Sequence, residues 1–187
     1  MSTIFFTSDH HFGHANIIRF CNRPFANVEE MNEELIRRWN ERIGPDDEVY
    51  HLGDFAMSRG EAFDRIASRL NGTKYLIVGN HEASALNNRK WFKWIKEYYE
   101  LKVNDPERPA GVQRIILFHY AMRVWRGDFR GTWHLYGHSH NNLPEKPDSL
   151  SFDIGVDANN FYPLSYEEVK ARMLKKEWKP PFALREE

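Results

Sequence analysis

A chain of 187 residues with 41% hydrophobic and 28% charged residues has the make-up of an ordinary globular protein, with enough apolar side chain to bury a core. A net charge of −1 gives no global attraction to nucleic acid or anionic lipid, and the lone Cys21 excludes an intramolecular disulfide. No apolar run approaches the roughly 18 residues that cross a bilayer, and Met1-Ser2-Thr3 brings no basic leader. The expectation is a cytoplasmic protein without a membrane partner.

Taken in chain order, Ile4 to Thr7 reads as a buried strand. Glu29 to Ile43 carries Met31, Leu35, Trp39 and Ile43 every fourth residue and stops at Gly44-Pro45, which predicts a helix. Val49 to Leu52 is a second strand. Glu61 to Leu70 is a helix with Phe63, Ile66, Ala67 and Leu70 on one face, closed by Asn71-Gly72. Tyr75 to Val78 is a third strand, and between Trp91 and Val103 helix and strand signals compete. Further strands follow at Ile115 to Phe118, Leu135-Tyr136 and Phe152 to Val156. Ser165 and Glu168 form a capping-box pattern that opens a helix to about Lys176, and residues 178–187 read as a surface tail. No linker or repeat divides the chain, so residues 1–187 read as one layered α/β domain.

The chemistry sits at the strand ends. The first strand leads to Asp9 and His11, the second to Gly53-Asp54, and the third to Gly79-Asn80-His81-Glu82. Ile115 to Phe118 leads to His119, and Leu135-Tyr136 leads to Gly137-His138-Ser139-His140. One Asp or His after a strand is ordinarily a structural cap or a solvated turn; five such events at five strand ends are hard to assign to chance. Carboxyl ends of strands are where ligands collect in α/β sheets, and mixed oxygen and imidazole donors suit borderline divalent cations. With a side-chain period of two, Asp9-x-His11 and His138-x-His140 would each put both side chains on one side of an extended segment. Seven donors are too many for one four-coordinate zinc and suit two metals sharing Asp54, roughly 3.5–4 Å apart.

These blocks resemble the calcineurin-like metallophosphoesterases, whose pattern is D-x-H, G-D, G-N-H-[DE], H and G-H-x-H. All five blocks are present in order between Asp9 and His140. The resemblance implies a four-layer α-β-β-α sandwich, here a small cap-less member of bacterial or phage type, with a dinuclear site at the C-terminal ends of the strands. One metal would take Asp9, His11, Asp54 and His140, and the other Asp54, Asn80, His119 and His138. Two divalent ions are implied, manganese first, with iron, nickel, zinc or magnesium as alternatives. A water or hydroxide bridging them would attack phosphorus, with His81 as the catalytic histidine. Glu82 would either orient His81 or cap the turn. The tyrosine that purple acid phosphatases carry shortly after G-D is missing, since Phe55-Ala56-Met57 follows Asp54.

Three nearby side chains are candidates for substrate contact: His14, Arg23 and Arg123. For His14, holding a neighbouring ligand in place is an equal reading; for the arginines and for Trp125 the alternative is a solvated or partly buried loop residue. His10 should point away from His11, His51 reads as a core histidine, and His134 is uninformative. The basic run Lys170 to Lys179 reads as the wet face of the last helix. The expected substrate is a small-molecule or nucleotide-like phosphoester, a phosphodiester ahead of a phosphomonoester. The rivals are a nuclease acting on DNA or RNA ends, which the near-neutral charge disfavours, and a catalytically silent metal-binding scaffold. A non-haem iron oxygenase leaves Asn80 and the second histidine pair unexplained. Nothing in the pattern sets an oligomeric state.

Overall fold

The computed structural model describes residues 2–180. Strand β1 (Ile4–Thr7) forms at its predicted bounds and pairs in parallel with β2 (Glu48–His51), which pairs in parallel with β3 (Thr73–Ile77). A short β4 (Ile95–Lys96) and an antiparallel β9 (Leu164–Ser165) complete the order β4-β3-β2-β1-β9. The second sheet has the order β5-β6-β7-β8, from β5 (Tyr98–Asn104), β6 (Val112–Phe118), β7 (Trp133–Tyr136) and β8 (Ser151–Asp153). Here β5 runs antiparallel to β6, and β6, β7 and β8 are parallel. The ambiguous stretch from Trp91 to Val103 thus resolves into strands after a single 3-10 turn, Arg89–Trp91.

Alternation along the strands sends opposite faces into two cores. Phe5, Val49 and Leu76 join Met31, Leu35, Trp39, Phe63 and Ile66 from helices α2 (Val28–Arg42) and α3 (Glu61–Ala67), which cover the outer face of the first sheet. Phe6, Tyr50, Leu52 and Ile77 pack between the sheets against Ile115, Leu117, Trp133, Leu135 and Phe152. The last helix, here called α5 (Tyr166–Met173) after the short α1 (Ala15–Phe20) and α4 (Ala83–Leu86), adds Tyr166, Val169 and Met173 to this second core. Two sheets flanked by helices agree with the predicted α/β class.

Local signals explain the helix starts. The Asn27 side chain accepts from Glu30 N at 2.8 Å and begins α2 one residue before the predicted start. Ser165 and Glu168 make both bonds of the capping box. The basic run beyond it differs from its sequence reading. Lys170 is buried against Asp105 and Glu107 at 2.9 and 2.7 Å, and Lys176 is buried against Glu145, so two of these lysines close ion pairs to neighbouring loops. Trp178 packs against the inter-sheet core; the rest of the predicted tail, residues 181–187, lies outside the described residues.

The two sheets converge at one end. Ser8, just past β1, bridges to Gly155, just past β8, and Val156 N donates to Ser8 O at 3.1 Å. That junction brings the loops after β1, β2, β3, β6, β7 and β8 to one edge.

Candidate metal centre

Each donor is delivered by a loop that leaves its strand sharply. Asp9, His11, Asp54, His138 and His140 all have left-handed backbones, with φ of 59°, 52°, 56°, 67° and 45°. The extended geometry expected for Asp9-x-His11 and His138-x-His140 is therefore not what aligns them. A left-handed conformation is unfavourable for residues with a Cβ and is tolerated where surrounding contacts over-determine it. Those contacts are visible. Asp9 N donates to Gly53 O and His11 N to Asp54 O, both at 3.0 Å, so the first two loops hold each other. His138 N donates to both Asp9 carboxylate oxygens, at 3.1 and 3.0 Å. His81 N donates to Asp54 Oδ1 at 2.7 Å.

Glycines permit these approaches. Gly53 adopts φ +98°, and a Cβ there would meet His119 Nδ1 at 2.6 Å and Gly79 Cα at 2.8 Å. At Gly137 a side chain would strike Ser8 Oγ and Asp9 Oδ2.

The donors fall into two groups, Asp9 with His11 and His140, and Asp54 with His119 and His138; within each group the donor atoms lie within 4.8 Å of one another. The groups meet at Asp54, whose Oδ2 stands 3.4 Å from His11 Nε2 and 3.7 Å from His119 Nε2. Asn80 Oδ1 lies 3.1 Å from His119 Nε2 and 2.9 Å from His138 Nδ1, so the structure brings all seven sequence-predicted ligands together. His81 is exposed at the rim, its ring 5.6 Å from that of His11. His14, half-buried, lies 5.3 Å from His11 and 6.4 Å from His81.

The electrostatics fit a cation site. Burial pushes the Asp9 carboxyl up to about 8, an expensive state for a carboxylate unless positive charge faces it. Burial, then the neighbouring charges of His140 and Arg23, hold the His11 imidazole far below its ordinary range, and neither ring nitrogen has a hydrogen-bond partner. A buried neutral imidazole with both nitrogens unpaired is a ligand in waiting. His119 Nδ1 donates to Leu52 O at 2.7 Å, which leaves Nε2 pointed at Asp54 and Asn80.

Arg23 corrects its sequence reading. Its side chain is fully buried and bonds Asp157 through Nε and Nη2, each at 2.8 Å, the Asp9 carbonyl at 2.6 Å and the His10 carbonyl at 2.8 Å. It braces the ligand loop and is closed to substrate. Arg123 is exposed on the loop after β6, and Trp125 donates to Thr132 O and packs on His134. Glu82 resolves toward the cap, since its carboxylate accepts from Asp54 N, Phe55 N and Gly79 N. His10 turns away from the site, its Nδ1 3.0 Å from His51 Nε2 in the core.

Sequence reading missed Asp157, whose Oδ2 takes the His140 Nδ1 proton bond at 2.6 Å. It also missed Asp153, which accepts from Gly155 N and Asn141 N. The signal was available: two aspartates around Gly155 at a sixth strand end repeat the pattern seen at the other five. Cys21 also lies near His140 and Asp157, but the Asp157 carboxylate is already engaged by Arg23 and His140.

Fold and donor set together are those of a metal-dependent hydrolase built on paired sheets. The chain belongs to the calcineurin-like phosphoesterase family, whose model matches residues 2–145 and whose members generally carry out metal-dependent phosphoester hydrolysis. It is 34% identical over 174 residues to an uncharacterized protein of Methanocaldococcus jannaschii, covering 89% of each chain. It is 36% identical over 184 residues to the Gene 66 protein of Mycobacterium phage L5, covering 84% of this chain and 88% of that one. A crystal structure of a protein of unknown function from Aquifex aeolicus shares the fold at a TM-score of 0.67 and 22% identity, over 91% of this chain and 99% of that one. Among the described residues no helix is long and apolar enough to cross a membrane.

Proposed function

We propose that this protein is a dinuclear phosphoesterase acting on a small or nucleotide-like phosphodiester in the cytoplasm. The observation that carries the reading is the Asp54 carboxylate, one oxygen of which faces a histidine of each donor group. Asp9, His11 and His140 would hold one cation, Asn80, His119 and His138 the other, and Asp54 both. Manganese heads the choices because the donors mix hard carboxylate and amide oxygens with imidazoles. Bound there, two divalent cations supply Lewis acidity that activates a water and neutralises phosphoryl oxygens.

His81 supplies the proton chemistry. Its backbone is tied to Asp54 Oδ1, so its imidazole stands beside the metal donors without being one of them. From that place it donates a proton to the leaving oxygen. Asn80, His81 and His138 are exposed, and the half-open Tyr120 ring lies 4.7 Å from that of His138. This open rim has room for a substituent on either side of phosphorus, which favours a diester over a monoester.

The test is hydrolysis of paired chromogenic phosphodiester and phosphomonoester substrates after metal stripping, with Mn, Ni, Zn and Mg restored separately. Diester turnover that is restored by metal and lost in His81→Ala supports the reading. Preference for the monoester overturns the diester assignment, and silence with two ions bound per chain supports the scaffold rival.

A further inference from the structure

A cavity of about 440 Å³ opens at the far end of the second sheet from the metal centre, and Arg108, Arg114, Arg126, Arg130, Glu100 and Phe129 line it. Four guanidinium groups against one carboxylate concentrate positive charge here, in a chain whose net charge is −1. Arg114 lies on β6 five residues before His119, which at about 3.3 Å per residue separates the two by roughly 16 Å.

The arginines are not all loose surface groups. Arg108 Nε donates to Gln113 Oε1 at 2.8 Å, and its guanidinium lies 5.4 Å over the Trp133 ring. Gln113 is itself buried, and its amide nitrogen is anchored on Arg114 O and Gly131 O at 2.7 and 3.1 Å. The fork of Arg108 is thus pre-set before any ligand arrives. Arg126 is held by Glu100 at 3.0 Å. Arg130 stacks 5.0 Å over Phe129. Guanidinium forks match phosphate oxygens bidentately.

We propose that this cavity is a second ligand site that binds a small organic phosphate of nucleotide size carrying at least two negative charges. Its volume falls within the range of small-molecule sites. A nucleic-acid strand would instead want basic groups continued along a track. The inference does not depend on which phosphoester the metal centre cleaves.

The probe is the methylene-bridged analogue of ADP, which resists hydrolysis between its phosphates, titrated calorimetrically into the manganese-loaded full chain. The variants are Arg114→Ala/Arg130→Ala, both at exposed positions, and Asn80→Ala in the metal centre. Saturable binding weakened about tenfold or more by the arginine pair, and retained in Asn80→Ala, supports the site. Arg108→Lys, which keeps the charge and loses the fork, should weaken it also. Binding lost in Asn80→Ala and unchanged in the arginine pair, or absence of saturable binding, overturns it. A single-stranded oligonucleotide that binds through the same arginines far more tightly than the nucleotide would overturn the small-ligand assignment.

Discussion

Arg23 and Asp157 stand 134 residues apart in the chain and close a two-pronged ion pair, 2.8 Å on each prong, directly behind His140. Burial alone would raise the Asp157 carboxyl, but the bonds from His140 and Arg23 outweigh it and hold it below the usual carboxylate range. The ionised carboxylate fixes His140 through Nδ1 and leaves Nε2 for a cation. Asp157→Asn should therefore lower manganese affinity about 10- to 100-fold by calorimetry, with the fold intact by circular dichroism. Unchanged affinity would show that Asp157 is not needed to orient His140.

Arg23→Ala should behave differently, because it strands a buried carboxylate and frees two carbonyls. The expected loss of stability is about 3–5 kcal/mol in urea unfolding. A loss below about 1 kcal/mol would mean that Asp157 finds another partner.

Gly53→Ala tests the close approach of the second and third loops. The added methyl would meet His119 Nδ1 and the Gly79 backbone on a φ of +98°. About 2 kcal/mol or more of stability should go, together with bound metal read by elemental analysis. Retention of both would show that the two loops can separate without cost.

Metal should stabilise the fold, since Asp9 and His11 are buried in states that a cation relieves. Adding manganese to stripped protein at 100 times its dissociation constant should contribute about 2.7 kcal/mol per site. Thermal melts with and without chelator read this directly. Identical melts would argue against any preformed ligand set.

Lys74 offers a pH test away from the metal centre. Burial pulls its amine down to about 8, with Nζ bonded to Leu70 O and Gly72 O at 2.7 and 3.0 Å. Below pH 8 it is charged folded and unfolded alike, and the burial cost is present in full. Between pH 8 and the unfolded value near 10.5 the unfolded chain binds more protons, so stability rises with pH. Relative to Lys74→Met, the wild type should gain up to about 3 kcal/mol from pH 7.5 to pH 10 in urea unfolding. A flat difference would mean that Lys74 keeps its ordinary affinity for protons.

The parts of the fold legible in the sequence were those with local causes. The strand Ile4–Thr7 and the helix over Met31, Leu35 and Trp39 announce themselves through apolar spacing, and the capping box at Ser165 through residue type alone. The strand β5 was obscured because Tyr98, Tyr99 and Glu100 alternate weakly; pairing with β6 along seven residues decides it. The short α1 lacks a side-chain cap and buries only Ile17, which leaves little periodicity to read.

The same division runs through the metal centre. The sequence by itself determined which residue types stand at five strand ends, because a donor atom is a property of one side chain and strand ends are locally marked. Only the tertiary structure decided how they converge. Left-handed backbones at Asp9, Asp54 and His138 are held by bonds between loops distant in sequence. It also decided that Arg23 braces a ligand loop while Lys170 closes a buried ion pair. A guanidinium or an ammonium carries no local mark of its partner, so its role is fixed by whichever carboxylate and carbonyls the folded chain brings within reach.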